Sequence, residues 1–207
     1  PRRRALSRRL RTAWAIMWRL LLWLVVWGLL AAPCIVPISA GRAGWVRAHP
    51  LWAQLWGDTS MTLALLLASW LMARFVDHVP IAALGLSGRR APRRVAGGIA
   101  LGTAWMAGSL GVAWLAGCLS WQPAGRFAGL TLAVAGLSLF ANALCQQLML
   151  NGYLLHVLRS RLGPSAGAVL AAALFSLCHA PAFHGAWLPA VNVFAAGLLF
   201  VLARSAS

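Results

Sequence analysis

Acid is what this chain of 207 residues has least of: two aspartates, Asp58 and Asp77, and no glutamate. Lysine is missing as well, so all 18 basic side chains are arginine. The lack of glutamate excludes it as a general base and leaves two carboxylates for any acid–base work. Charged residues make up 10% of the chain, where globular domains carry about 25%. Hydrophobic residues reach 61%, against about 45–50%. That balance excludes an ordinary soluble domain and places the chain in a membrane. No CxxC pair occurs among Cys34, Cys118, Cys145 and Cys178, which removes the usual zinc-finger and thioredoxin-like spacings. The cysteines read as free, small apolar side chains. Cys178 beside His179 is not read as a metal pair, since adjacent helical residues do not face one way. Internal repeats are missing, and no small-residue cleavage site closes the N-terminal apolar run. The sequence opens on Pro1 and closes on Ser207 directly after an apolar run, so it reads as a fragment at both ends.

What is there is apolar sequence in lengths suited to a bilayer. A helix needs about 20 apolar residues to cross the hydrocarbon core. Six stretches qualify or come close: 12–38, 61–79, 95–121, 127–158, 165–179 and 187–203. Pro33 and Pro37 are expected to break the far end of the first. The fifth is short. The expected fold is therefore all-α, a polytopic transmembrane helical bundle of about six spans.

The arginines test this count. Arg2, Arg3, Arg4, Arg8, Arg9 and Arg11 precede the first span. Arg89, Arg90, Arg93 and Arg94 follow the second, Arg159 and Arg161 the fourth, and Arg204 the sixth. All of these fall on one side if six spans cross, while Arg42, Arg47 and Arg126 fall on the other. The positive-inside rule then puts both termini in the cytoplasm of a multi-pass cell-membrane protein. Arg19 and Arg74 lie inside spans, near enough to their ends to snorkel. The net charge of +16 is thereby explained without nucleic acid, because no basic face with stacking aromatics exists. The basic segment 1–11 suits anionic lipid headgroups, at about 1 kcal/mol per residue. Trp14, Trp45, Trp52, Trp56, Trp121 and Trp187 sit near span ends, where aromatic belts form. The segment 39–60 reads as an outside loop lying in the interface. Asp77 is then the one acid within a span, expected to pair with Arg74 three residues away.

Polar residues inside such a chain need a reason. Asn142, Gln146, Gln147 and Asn151 recur at spacings that put them on one side of a helix. Facing lipid, their amides would be unsatisfied, so they point into the bundle. Interhelical hydrogen bonding, worth roughly 0.6–2 kcal/mol each, accounts for such a stripe by itself. Gly152 follows and permits close helix approach. Two later elements add to it: Phe175-Ser-Leu-Cys-His179, with a histidine ending an apolar helix, and Phe194-Ala-Ala-Gly197-Leu198 in the last apolar run. A histidine there is either an interfacial side chain bonded to backbone or a metal ligand.

In order and spacing, these three elements resemble the CPBP family of intramembrane metalloproteases, also called the CAAX-protease and bacteriocin-processing (Abi) family. The family's EExxxR motif corresponds to Gln146-Gln147-Leu-Met-Leu-Asn151, its FxxxH motif to Phe175–His179, and a recurrent FxxGL stretch to Phe194–Leu198. The further HxxxN motif has no counterpart before Ser207. The resemblance divides the chain into a basic segment at 1–11, N-terminal transmembrane helices at 12–121 and a CPBP/Abi-like helical core at 126–204. It implies zinc as cofactor and endopeptidase activity on membrane substrates. The glutamate positions would be Gln146 and Gln147, the arginine position Asn151, and the metal ligand His179. His184 is the only further candidate ligand nearby, and Phe175, Phe194 and Gly197 would be packing positions. A glutamine amide is not a base, and Asn151 lacks the charge that would pair with a carboxylate. The site reads as neutralised as a set: a pseudoenzyme that binds a membrane-associated or prenylated peptide or protein, with the lipid bilayer as its surroundings. Two alternatives stay open, an active intramembrane metalloendopeptidase of this family and a non-enzymatic transporter or structural bundle.

Overall fold

A computed structural model describes residues 2–41, 43–86, 91–120 and 129–205. Arg42, Arg89, Arg90, Trp121 and Arg126, used above to argue topology, lie outside the described residues. All regular structure among the described residues is helical. The main helices are α1 (Arg2–Gly41), α2 (Ala43–Ala48), α3 (Pro50–Leu71), α4 (Ala91–Leu115), α5 (Gly129–Met149), α6 (Leu155–Leu162), α7 (Pro164–Cys178) and α8 (Trp187–Ser205). Wide π-turns at Met72–Val76 and Leu150–Leu154 extend α3 and join α5 to α6.

Five segments are long and apolar enough to cross a membrane: Arg9–Val36, Pro50–Val76, Val95–Leu115, Gly129–Leu162 and Trp187–Ser205. The expected fifth span is α7, whose 15 residues rise only about 22 Å against a hydrocarbon core of about 30 Å. The chain is thus an all-α, multi-pass membrane protein.

Three local expectations are corrected. Pro33 and Pro37 do not end α1, which runs on to Gly41. Membrane helices tolerate proline where neighbours supply hydrogen bonds, and Trp56 Nε1 donates to the Cys34 carbonyl at 3.0 Å between the two prolines. The segment 39–60 is not a loop. Its described part forms α2 and the first turns of α3, which start on Pro50, a residue whose fixed φ suits the first turn of a helix. Gly152 does not serve a helix contact: a Cβ there would meet no atom within 4 Å. It instead holds the non-helical backbone (φ −87°, ψ −123°) that kinks the helix after Asn151.

The chain forms two compact units, residues 1–86 with 133–207, and residues 87–132. In the first, α1 packs on α3. Trp23 is buried and donates Nε1 to Ser69 Oγ at 3.1 Å, and Trp27 Nε1 donates to the Met61 carbonyl at 3.2 Å. The core continues through Leu65, Met72, Tyr153, Leu155, Leu158 and Val201. Small residues set the tight crossings. A Cβ on Gly167 would lie 2.7 Å from the backbone nitrogen of Arg159, so α6 and α7 touch backbone to backbone. Gly197 of α8 faces Ala172 and Phe175 of α7, with 3.3 Å from its hypothetical Cβ to the Ala172 Cβ. Ser176 Oγ donates across the same pair of helices to the Ala190 carbonyl at 2.8 Å.

The second unit is α4 with the turn that ends it, where Gly117 takes φ +71°. Apolar side chains such as Ile99, Leu101, Trp105 and Val112 are exposed. Exposed apolar side chains of this kind suit lipid, and the helix meets its backbone bonds internally.

Candidate functional site

The polar residues of α5 form two rows, not one stripe. Neighbouring residues on an α-helix are about 100° apart, so Gln146 and Gln147 head different rows. In the first row Gln146 Nε2 donates to Asn142 Oδ1 at 2.7 Å. In the second Asn151 Nδ2 donates to Gln147 Oε1 at 2.8 Å. Both bonds link residues four apart, the spacing at which helix side chains stack.

The first row does not end within α5. Asn142 Nδ2 donates to Asp58 Oδ1 at 3.1 Å, and Ser138 Oγ donates to Asp58 Oδ2 at 2.5 Å. Thr62 Oγ1 lies 2.7 Å from the Asp58 carbonyl and 2.8 Å from the Ala141 carbonyl, tying α3 to α5 at the same level. Asp58 lies within the Pro50–Val76 span and Asp77 directly follows its end, so the acid within that span is Asp58 and not Asp77. A carboxylate is within reach of the amide row after all, two hydrogen bonds from Gln146 by way of Asn142. Sequence reasoning missed Asp58 because the stretch before it, rich in tryptophan and polar residues, reads as interface. Pro50 as a helix start was the available signal. Ser138 was also legible, four residues before Asn142.

The second row ends differently. Asn151 Oδ1 is buried and has no hydrogen-bond partner. An orphan acceptor in such a place costs about 1–3 kcal/mol. It sits beside the kink, whose buried residues Gly152, Tyr153 and Leu154 fix its position.

Asp77 is the second correction. It pairs with Arg19 of α1, Nε to Oδ1 at 2.8 Å, not with Arg74. Tyr153 donates its hydroxyl to Asp77 Oδ2 at 2.6 Å. The π-turn at Met72–Val76 breaks the i, i+3 register on which an Arg74–Asp77 pair depends, and Arg74 is exposed over the Phe75 ring. Arg19 reaches Asp77, which directly follows the Pro50–Val76 span. It is 14% exposed, and its Nη1 donates to the Ala15 carbonyl at 3.1 Å.

His179 caps α7. Its ring lies 4.6 Å from that of Phe175, and Nδ1 bonds the Phe175 carbonyl at 2.8 Å. A carbonyl only accepts, so Nδ1 carries a proton, and in the neutral ring Nε2 presents the lone pair. Metal-bound histidines are commonly held this way, but one nitrogen is not a site. No group of three His, Cys, Asp or Glu is placed to hold a metal among the described residues. His184 is exposed, in the left-handed region at φ +47°, beyond the turn Ala180–Phe183. Among the described residues no hydrogen bond joins His179 to the amide rows. Working zinc sites take three protein ligands plus water, and the residues present do not make up that set. No step is derived through zinc.

Residues 128–207 match the family described as type II CAAX prenyl endopeptidase Rce1-like. The chain carries an Rce1-like segment of the CAAX-protease family. That segment holds both amide rows, the kink, His179 and Gly197, and it packs on α1 and α3 of the same unit. The protein is an integral membrane, CAAX-protease-like protein. Comparison with curated proteins and with solved structures gave no match.

Proposed function

We propose that this protein recognises a membrane-embedded or prenylated peptide at the second amide row and does not hydrolyse it. The observation that carries the reading is the state of Gln146, Gln147 and Asn151. At the positions of the family's acidic pair and arginine stand three amides. Their hydrogen bonds run along their own helix, and the one remaining buried acceptor, Asn151 Oδ1, lacks a donor. A peptide N–H would satisfy that acceptor, whereas an amide cannot take a proton from water. Zinc belongs to this reading only as a single ligand, His179, which would bind metal weakly. The setting is the cell membrane, with both termini on the cytoplasmic side as the arginine distribution argues.

One observation favours a second reading, an active peptidase. Asp58 is a carboxylate hydrogen-bonded to the first row and could stand in as proton acceptor. Recognition at the second row is tested by one experiment. A fluorescent prenylated CAAX peptide is titrated against the protein in lipid nanodiscs, wild type beside the double variant Gln147→Met/Asn151→Leu. Replacing both partners of a buried bond with apolar groups of similar shape is nearly neutral for stability. The variant should keep its thermal midpoint and lose binding about tenfold or more. Unchanged binding would reduce the second row to packing and overturn the proposal.

A further inference from the structure

A groove of about 500 Å³ runs between the first part of α1 and the place where α6 gives way to α7, inside the first compact unit. On α1 it is lined by Arg9, Thr12, Ala13, Ile16 and Met17, and across from them by Leu162 of α6 and Leu170 of α7. Arg9, Ala13, Ile16 and Met17 recur at steps of four, three and one, so they share one face of the helix. From Arg9 to Met17 that face extends about 12 Å. Its polar walls are Arg9 and Thr12, toward one end, and the rest is apolar. The size is ordinary for a small-ligand site.

Level and charge decide what fits there. Arg9 begins the membrane-length segment Arg9–Val36, and Leu162 ends the segment Gly129–Leu162. Arg9 therefore stands where headgroups lie. Met17, about 12 Å along α1 from Arg9, and Leu170, about 9 Å along α7 from Pro164, stand at acyl-chain depth. Both side chains are exposed, so the groove opens to lipid along its length. The chain has two acids, and both are engaged elsewhere: Asp77 pairs with Arg19, and Asp58 accepts from Ser138 and Asn142. Neither lines the groove. A carboxylate or phosphate for Arg9 thus comes from outside these side chains. Lipid tails are as apolar as leucine, so a tail that leaves bulk lipid for the groove gains mainly packing. The guanidinium then sets the preference among lipids, because its planar fork matches phosphate oxygens. The basic segment 1–11 attracts anionic headgroups anywhere along it, whereas the groove gives one of them a place for its chain.

We infer that this groove holds one anionic phospholipid, with its headgroup on Arg9 and one acyl chain along Ala13, Ile16 and Met17. The site does not depend on what the amide rows bind. The test uses the full chain in mild detergent, with dioleoyl phosphatidylglycerol, dioleoyl phosphatidylcholine and farnesol as probes, and native mass spectrometry counts what is bound. A phosphatidylglycerol carrying a diazirine on one acyl chain maps the position by cross-linking. Three variants at exposed positions of α1 are compared with wild type. Arg9→Gln removes the charge, and Ala13→Phe fills the groove. Arg11→Gln is the control, because Arg11 Nε donates to the Ser7 carbonyl at 3.3 Å and Arg11 does not line the groove. Phosphatidylglycerol should bind about fivefold more tightly than phosphatidylcholine, the size expected for one arginine at an anionic surface. Its cross-links should fall on the peptides holding residues 13–17 and Leu170. Arg9→Gln should abolish the preference, Ala13→Phe should weaken both lipids and remove the cross-links, and Arg11→Gln should change neither. An equal loss in Arg9→Gln and Arg11→Gln would reduce the site to a general basic patch and overturn the inference. So would farnesol displacing phosphatidylglycerol from the cross-linked position, which would assign the groove to a prenyl chain, or cross-links that Ala13→Phe leaves unchanged.

Discussion

Asp58 shows how a single acid is kept inside an apolar bundle. Ser138, which is 1% exposed, and Asn142 both donate to its carboxylate, so its two oxygens have separate partners. Removing the acid strands both donors. Asp58→Ala should therefore cost about 3 kcal/mol or more, at about 1.5–3 kcal/mol for each bond to a charge, and Asp58→Asn should recover part of it. Chemical or thermal unfolding in detergent reads this directly, and a silent Asp58→Ala would remove Asp58 from the network. Much of this site was legible beforehand at the level of residue types. Costly amides in an apolar helix announce themselves, and Gln146, Gln147 and Asn151 do lie in hydrogen-bonded rows. Their partners were not legible, because the pairing of α5 with α3 depends on packing between segments some 80 residues apart in the chain.

Helices here are joined by a few polar clamps and by small-residue contacts. The Arg19–Asp77–Tyr153 cluster binds α1 to the end of α3 and to the kink after α5. Arg19 and Asp77 are 14% and 12% exposed, so deleting one leaves an uncompensated charge, a loss of about 3–5 kcal/mol. Arg19→Met and Asp77→Leu should each destabilise strongly, and the double variant should recover most of the loss. An additive double variant in unfolding measurements would argue against the clamp. Gly167→Ala makes the opposite kind of test, since its Cβ would fall 2.7 Å from the Arg159 backbone nitrogen. Overpacking there should cost about 1–3 kcal/mol, read by unfolding in detergent. Element boundaries were the harder part to read from sequence. Composition marks apolar helices clearly, but π-turns such as Met72–Val76 leave no compositional trace, and one was enough to separate Arg74 from Asp77.

Across the whole molecule, the described ends of α1, α6 and α8 carry arginine, and Arg9 lies near Leu162 along one apolar groove. The polar rows lie in the segment, residues 128–207, that matches the type II CAAX prenyl endopeptidase Rce1-like family. The amides at the acidic positions are proposed to recognise a peptide without cutting it. The most direct measurement follows the fate of a prenylated CAAX peptide incubated with the reconstituted wild-type protein, with and without added zinc, by mass spectrometry of both the peptide and the protein-bound fraction. Intact peptide that co-purifies with the protein under both conditions is the expected result. Cleaved peptide, produced by wild type and lost in Asp58→Asn or His179→Ala, would contradict it.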